Sequence, residues 1–262
     1  VFVYPAIALS VIGVWAFFAS KGTPSDVVPG AIAVEGESAK KQLADYGDDE
    51  SPAVMTILKT LIKMPIYRQL LVFSFLTTLL RSVFLIWTPK FLFDIGQGAS
   101  AAILKSAVFP LLGVAGTLFI GWYTDHYARN GDRARMMWIM LAVLVLCTFS
   151  ISVLSAAENP NYNLIIFFLG GSGFFLLGPY SMSSGALTLD IAGAKGAGSC
   201  TGIIDGMGYI GGAIAAFAAG AMSDTLGWSQ VFVVLTGFAA ISALSAYGMS
   251  RGFQKLAKTS EA

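Results

Sequence analysis

The chain has 262 residues, 56% of them hydrophobic and only 12% charged, against roughly 25% charge in an ordinary soluble domain. Sixteen basic and fifteen acidic residues leave a net charge of +1, which gives no field for nucleic acid or for a strongly acidic partner. The single His126 and two cysteines, Cys147 and Cys200 in apolar or small-residue runs, offer neither a metal cluster nor a disulfide framework, so an integral membrane protein without metal or cofactor is expected.

Seven apolar segments approach the length needed to cross a bilayer. The first, residues 1–20, opens "VFVYPAIALSVIGVWAFFASK" without a Met or a basic start. It reads as a membrane helix entered partway rather than a signal peptide, which makes the sequence the expected later part of a longer protein. A polar linker at 21–66 contains "GESAKKQLADYGDDESP", rich in charge and turn formers. Its end, "SPAVMTILKTLIKMPIYRQ", reads as an amphipathic surface helix with Lys59, Lys63 and Arg68 toward lipid headgroups. The remaining spans are expected at 67–89, 101–123, 136–156, 163–186, 198–222 and 228–250, followed by a tail at 251–262. With the linker on the cytosolic side, every Lys and Arg except Lys90, Lys105 and Arg81 falls on that side. Linker and C-terminus are therefore expected to be cytosolic, in a multi-pass protein whose host membrane the residues do not specify.

In chain order, the second span carries the first anomaly. "LLVFSFLTTLLRSVFLIW", 70–87, is apolar except for Arg81 near its middle, a placement that costs on the order of 3 kcal/mol on insertion scales. Ser74, Thr77, Arg81 and Thr88 recur at i, i+3, i+7 and i+14, a polar stripe expected to line a cavity. Arginine is a planar, permanently charged fork suited to phosphate or carboxylate. Trp87, and Tyr180 further on, read as cavity lining or as packing. Lys105 starts the third span and reads as a snorkelling anchor or as a second cation at the cavity mouth.

"GWYTDHYARNGDRAR", 121–135, places Gly121, Asp125 and Arg129 four residues apart. The glycine allows close helix approach, and the aspartate suits a helix N-terminus or an arginine across the inner gate. The plainer reading is a helix end with basic residues that obey topology. Asp190 and Lys195 flank the inner end of the fifth span and are expected to stabilise the closed cytosolic side. The sixth span repeats small residues as Gly202-x-x-x-Gly206 and Gly208-x-x-x-Gly212, a spacing that permits close packing. Thr201, Asp205, Gly208 and Gly212 share a face there. One turn beyond Asp205 stands Tyr209, and Gly220-x-x-x-Asp224 reads as a helix end. Arg81 and Asp205 allow two readings: an anion clamp at Arg81, or an internal ion pair that opens when an anion enters. No nucleophile–base constellation is visible, so an enzyme is not expected.

The loop at Gly121 resembles the signature loop of the major facilitator superfamily. Together with "LLRSVFLIWTPKFL" and "GSCTGIIDGMGYIGG" it resembles the organophosphate:phosphate antiporter family, over about residues 67–250. The resemblance implies an all-α membrane fold, two parallel six-helix halves around a midplane site. Residues 1–20 would be the last helix of the N-terminal half and 67–250 the C-terminal half. It implies exchange of a sugar phosphate or glycerol phosphate for inorganic phosphate by alternating access, with no cofactor and no nucleic acid involved. It also implies that Arg81 is one of two arginines gripping the phosphoryl group, the other lying in the first half, and that Tyr209 lines the site. Asp205 stands where the family's exchangers differ. Sugar-phosphate sensors share the fold and signal through partner membrane proteins, which makes a sensor the alternative. A half-transporter retained as a structural subunit of a larger membrane complex is the third.

Overall fold

A computed structural model describes residues 61–127 and 132–260, together with positions 10, 11, 14 and 15; at 193–196 and 256–260 it describes the backbone alone. Most of the first span, the linker with Lys59, and Arg129 lie outside the described residues, as does the side chain of Lys195. The described chain folds as α1 Pro65–Asp94, α2 Ala99–Ser106, α3 Val108–Tyr127, α4 Ala134–Ser155, α5 Tyr162–Ser183, α6 Ala186–Leu226 and α7 Trp228–Ser260.

Local chemistry sets these boundaries. α1 starts at Pro65, a position whose missing N–H leaves nothing unpaired. It continues through Pro89 to Asp94, further than the expected end at 89, although Pro89 has no N–H to give the Leu85 carbonyl. The expected third span is two helices, α2 and α3, interrupted at Ala107. Pro110 explains the break: it donates nothing to Ser106 and is tolerated only in the first turn of α3. Asn161 caps α5 by accepting from the Leu164 N–H at 3.3 Å. Gly96 and Gly227, at φ 106° and 81°, make the turns after α1 and before α7.

α6 is helical over 41 residues, which would measure about 62 Å if straight. It is not straight. Thr201 Oγ1 donates to Thr188 Oγ1 at 3.2 Å and to the Ser184 carbonyl at 3.0 Å. A straight helix would separate residues 188 and 201 by about 20 Å, so the backbone turns back between them. The reversal coincides with the connection expected between the fifth and sixth spans.

Among the described residues, six stretches are long and apolar enough to cross a bilayer, including α2–α3 as one and Ala197–Leu226 of α6 as another. The helices pack side by side in the order α6, α1, α7, α4, α5, α3, and α5 also reaches α1 and α6. α1 is the most deeply buried span. Its Phe84 stacks on Phe109 of α3 at 4.9 Å and its Phe91 meets Phe232 of α7 edge-on at 4.8 Å. Two contacts depend on glycine. Gly116 and Gly173 bring α3 and α5 together backbone to backbone, with no room for a Cβ. On α6, Gly211 meets the Phe75 backbone of α1, while Gly208 and Gly212 make room for the side chains of Ser74, Thr78 and Ser82. The Gly202 and Gly206 pair, expected to pack likewise, has nothing within 4 Å.

Candidate functional site: an unpaired arginine at mid-depth

α1 and α6 run parallel in fixed register. The Ser74 hydroxyl donates to the Ile204 carbonyl at 3.0 Å, Trp87 covers Gly220, and Lys90 reaches Asp224 at 3.4 Å. This register puts Asp205 roughly two turns, about 10 Å, along the axis from Arg81 toward the end where α1 begins. The polar stripe of α1 does not line a cavity along its length. Ser74, Thr77 and Thr88 are 1%, 0% and 2% exposed. The Thr77 hydroxyl is satisfied within its own helix by the Phe73 carbonyl at 2.8 Å. Only Arg81 in that stripe keeps partial exposure.

Arg81 lies against Tyr180 of α5, its guanidinium carbon 4.7 Å from the ring centroid. Its Nε is buried without a hydrogen-bond partner. The ion pair with Asp205 is not formed: the described salt bridges join Lys90 to Asp94 and Asp224, and Arg133 to Asp125 and Asp190. Asp205 is half-buried. Two turns of register explain why this acid and this base do not meet.

The structure thus brings Arg81 and Tyr180 together and distributes the other candidates. Tyr209 is 64% exposed on the open side of α6. Trp87 packs against Gly220, with its Nε1 buried and unpartnered. Lys105 donates to Gln97 Oε1, between α2 and the turn before it. At the loop end, Gly121 has nothing within 4 Å, so it makes no close approach among the described residues. Asp125 pairs with Arg133 at 3.6 Å, and Arg133 reaches Asp190 at 3.3 Å. Asp132 accepts from Ser250 and Gln254 of α7 at 2.8 and 2.9 Å.

Two features went unread in the sequence. Arg133 is the hub of the ion pairs at the end near the 121–135 loop; nothing in the loop's spacing separates it from Arg135. At the opposite end, Lys90 bonds Asp94 at 2.7 Å and Asp224 at 3.4 Å, and Trp228 donates to Asp94 at 2.8 Å. The i, i+4 spacing of Lys90 and Asp94 was a legible signal for half of that cluster.

Spanning helices packed round a bundle, with a lone cation at mid-depth and ion clusters at both ends, make this a multi-pass membrane protein. The profile of the Major Facilitator Superfamily matches residues 1–216, and the chain belongs to that superfamily. It is 32% identical over 137 residues to the membrane sensor protein UhpC of Escherichia coli (strain K12), covering 52% of this chain and 30% of that protein. It is 29% identical over 160 residues to the glucose-6-phosphate exchanger SLC37A2 of Mus musculus, covering 58% and 30%. It is 24% identical over 262 residues to the glycerol-3-phosphate transporter of Haemophilus influenzae, covering 92% and 53%. The chain spans between about a third and a half of the length of these relatives. The resemblance to the organophosphate exchangers is borne out by them.

Proposed function

We propose that the protein is a secondary transporter that exchanges a phosphorylated small metabolite for inorganic phosphate by alternating access. The observation that carries this reading is Arg81, a permanent cation midway along the most buried span, held by a ring and by no carboxylate. A cation so placed is costly unless it has a function, and a guanidinium left with free donors suits a phosphoryl group. The exchangers among the relatives support the same substrate class. In this reading residues 67–250 are the C-terminal half, Arg81 is half of the anion clamp, and the linker and C-terminus face the cytosol. Asp205 and Tyr209, on the open side of α6, line the approach for the organic part of the substrate. Arg133, with Asp125 and Asp190, closes the cytosolic side. An empty, positively charged site resists reorientation, and an anion of either kind lowers that barrier, which makes the process an exchange.

The test is counterflow with the full-length protein in liposomes. Uptake of labelled sugar phosphate or glycerol phosphate should require phosphate inside; uptake that proceeds equally without it contradicts exchange. The similarity to a membrane sensor favours a second reading, a sugar-phosphate sensor that keeps the site and signals through a partner membrane protein. Binding without flux would select it.

A further inference from the structure

We infer that Tyr180 is a positioning residue that fixes the plane of Arg81, an inference that rests on the phosphoryl-binding reading of that arginine. The guanidinium lies over the ring at 4.7 Å, within the range of a cation–π contact. A ring contact of this kind stabilises the cation without taking up its N–H donors as hydrogen bonds. Of the three guanidinium nitrogens only Nε is fully buried and unpartnered; the other two form no hydrogen bond and remain accessible in the half-exposed side chain. The guanidinium is therefore in contact with the ring before any ligand arrives.

The ring does this without the cost a carboxylate would impose. An acid paired to Arg81 would occupy its donors and neutralise its charge, so an incoming phosphoryl group would have to displace it. Asp205 on α6 stands about two turns away along the axis, and the four described ion pairs leave Arg81 out. Tyr180 stabilises the cation through its quadrupole and competes for none of its donors. Its place follows from the helix that bears it. Pro179 lies immediately before it within α5, and Gly178 admits the side chain of Met140 and the backbone of α3 at Gly116. α5 is thus held against α3 and α4 while Tyr180 reaches α1. The stack and the anion grip coexist, so loss of the stack weakens binding rather than releasing the arginine.

The experiment varies the ring without changing its shape. The full-length protein, reconstituted in liposomes, carries Phe at position 180, then mono-, di- and trifluorinated phenylalanine, and labelled inorganic phosphate is the probe. Tyr180→Phe keeps the face and removes the hydroxyl, and is the reference for the series. Successive fluorines drain the ring's negative face, and the half-saturation for phosphate should rise step by step, by about 2- to 30-fold in all, with little change in maximal rate. A purely structural ring would be indifferent to fluorination, and a half-saturation that stays flat or falls along the series overturns the inference. Wild-type protein that neither binds nor exchanges phosphate is a separate result: it removes the phosphoryl-binding reading of Arg81, and the role of Tyr180 with it.

Discussion

The ends of the bundle and its middle treat positive charge in opposite ways. Arg133 at one end and Lys90 at the other each hold two carboxylates, whereas Arg81, midway along α1, holds only the face of Tyr180. At the ends, water and headgroups share the solvation of every ion, so pairs form cheaply and serve as ties between helices. Arg133 joins the loop after α3 to the start of α6, and Lys90 with Trp228 joins the far ends of α1, α6 and α7. In the middle, a paired acid would end the positive potential that an anion seeks. The contrast sets two described cations at the ends, each saturated by carboxylates, against one midway along α1 that is held open.

The contrast is open to attack through each of its cations. The largest expected effect on stability is at Arg133. Arg133→Met leaves the partly buried Asp190 without its partner and should destabilise the folded protein by about 2 kcal/mol, several degrees of Tm in detergent. Added phosphate should stabilise the variant by as much as it does wild type. Arg81→Gln should do the reverse. It removes a stack and no ion pair, so the melting temperature should move by less than the equivalent of about 1 kcal/mol. Stabilisation by added phosphate should vanish. A phosphate response that survives in Arg81→Gln, or disappears in Arg133→Met, erases the distinction between tie and site. The smallest effect is expected at Lys90, whose pairs are exposed: Lys90→Met should be hard to separate from wild type in melting, and any difference should shrink further at high salt.

The spans and Arg81 were legible because the bilayer imposes strong local rules: about twenty apolar residues per crossing, and a high cost for a lone charge among them. The passage of α1 through Pro89 was not, since a proline in an apolar run ordinarily marks a helix boundary; the break at Ala107 went unread although Pro110, tolerated only in a first turn, was its local signal. The polar stripe misled too. In an apolar setting Ser74 and Thr77 can satisfy themselves on backbone carbonyls, at Ile204 and Phe73, and need no cavity. A pair between Asp205 and Arg81 stayed open as one of two readings because a sequence shows which charges exist, while the register of α1 against α6 sets which can meet. Tyr180 was visible as a candidate, but its contact with Arg81 joins helices far apart in the chain and leaves no periodic trace. The glycines at 116 and 173 became meaningful only when the two backbones were seen in contact.

The most direct measurement is phosphate self-exchange in liposomes with wild type and Arg81→Lys compared side by side. Lysine keeps the charge at the same depth and loses the fork. If the open cation grips a phosphoryl group through paired donors, exchange should fall by about 10- to 100-fold in the variant, with both proteins folded and inserted alike. Exchange at the wild-type rate in Arg81→Lys would show that charge alone suffices and would contradict the grip at Arg81.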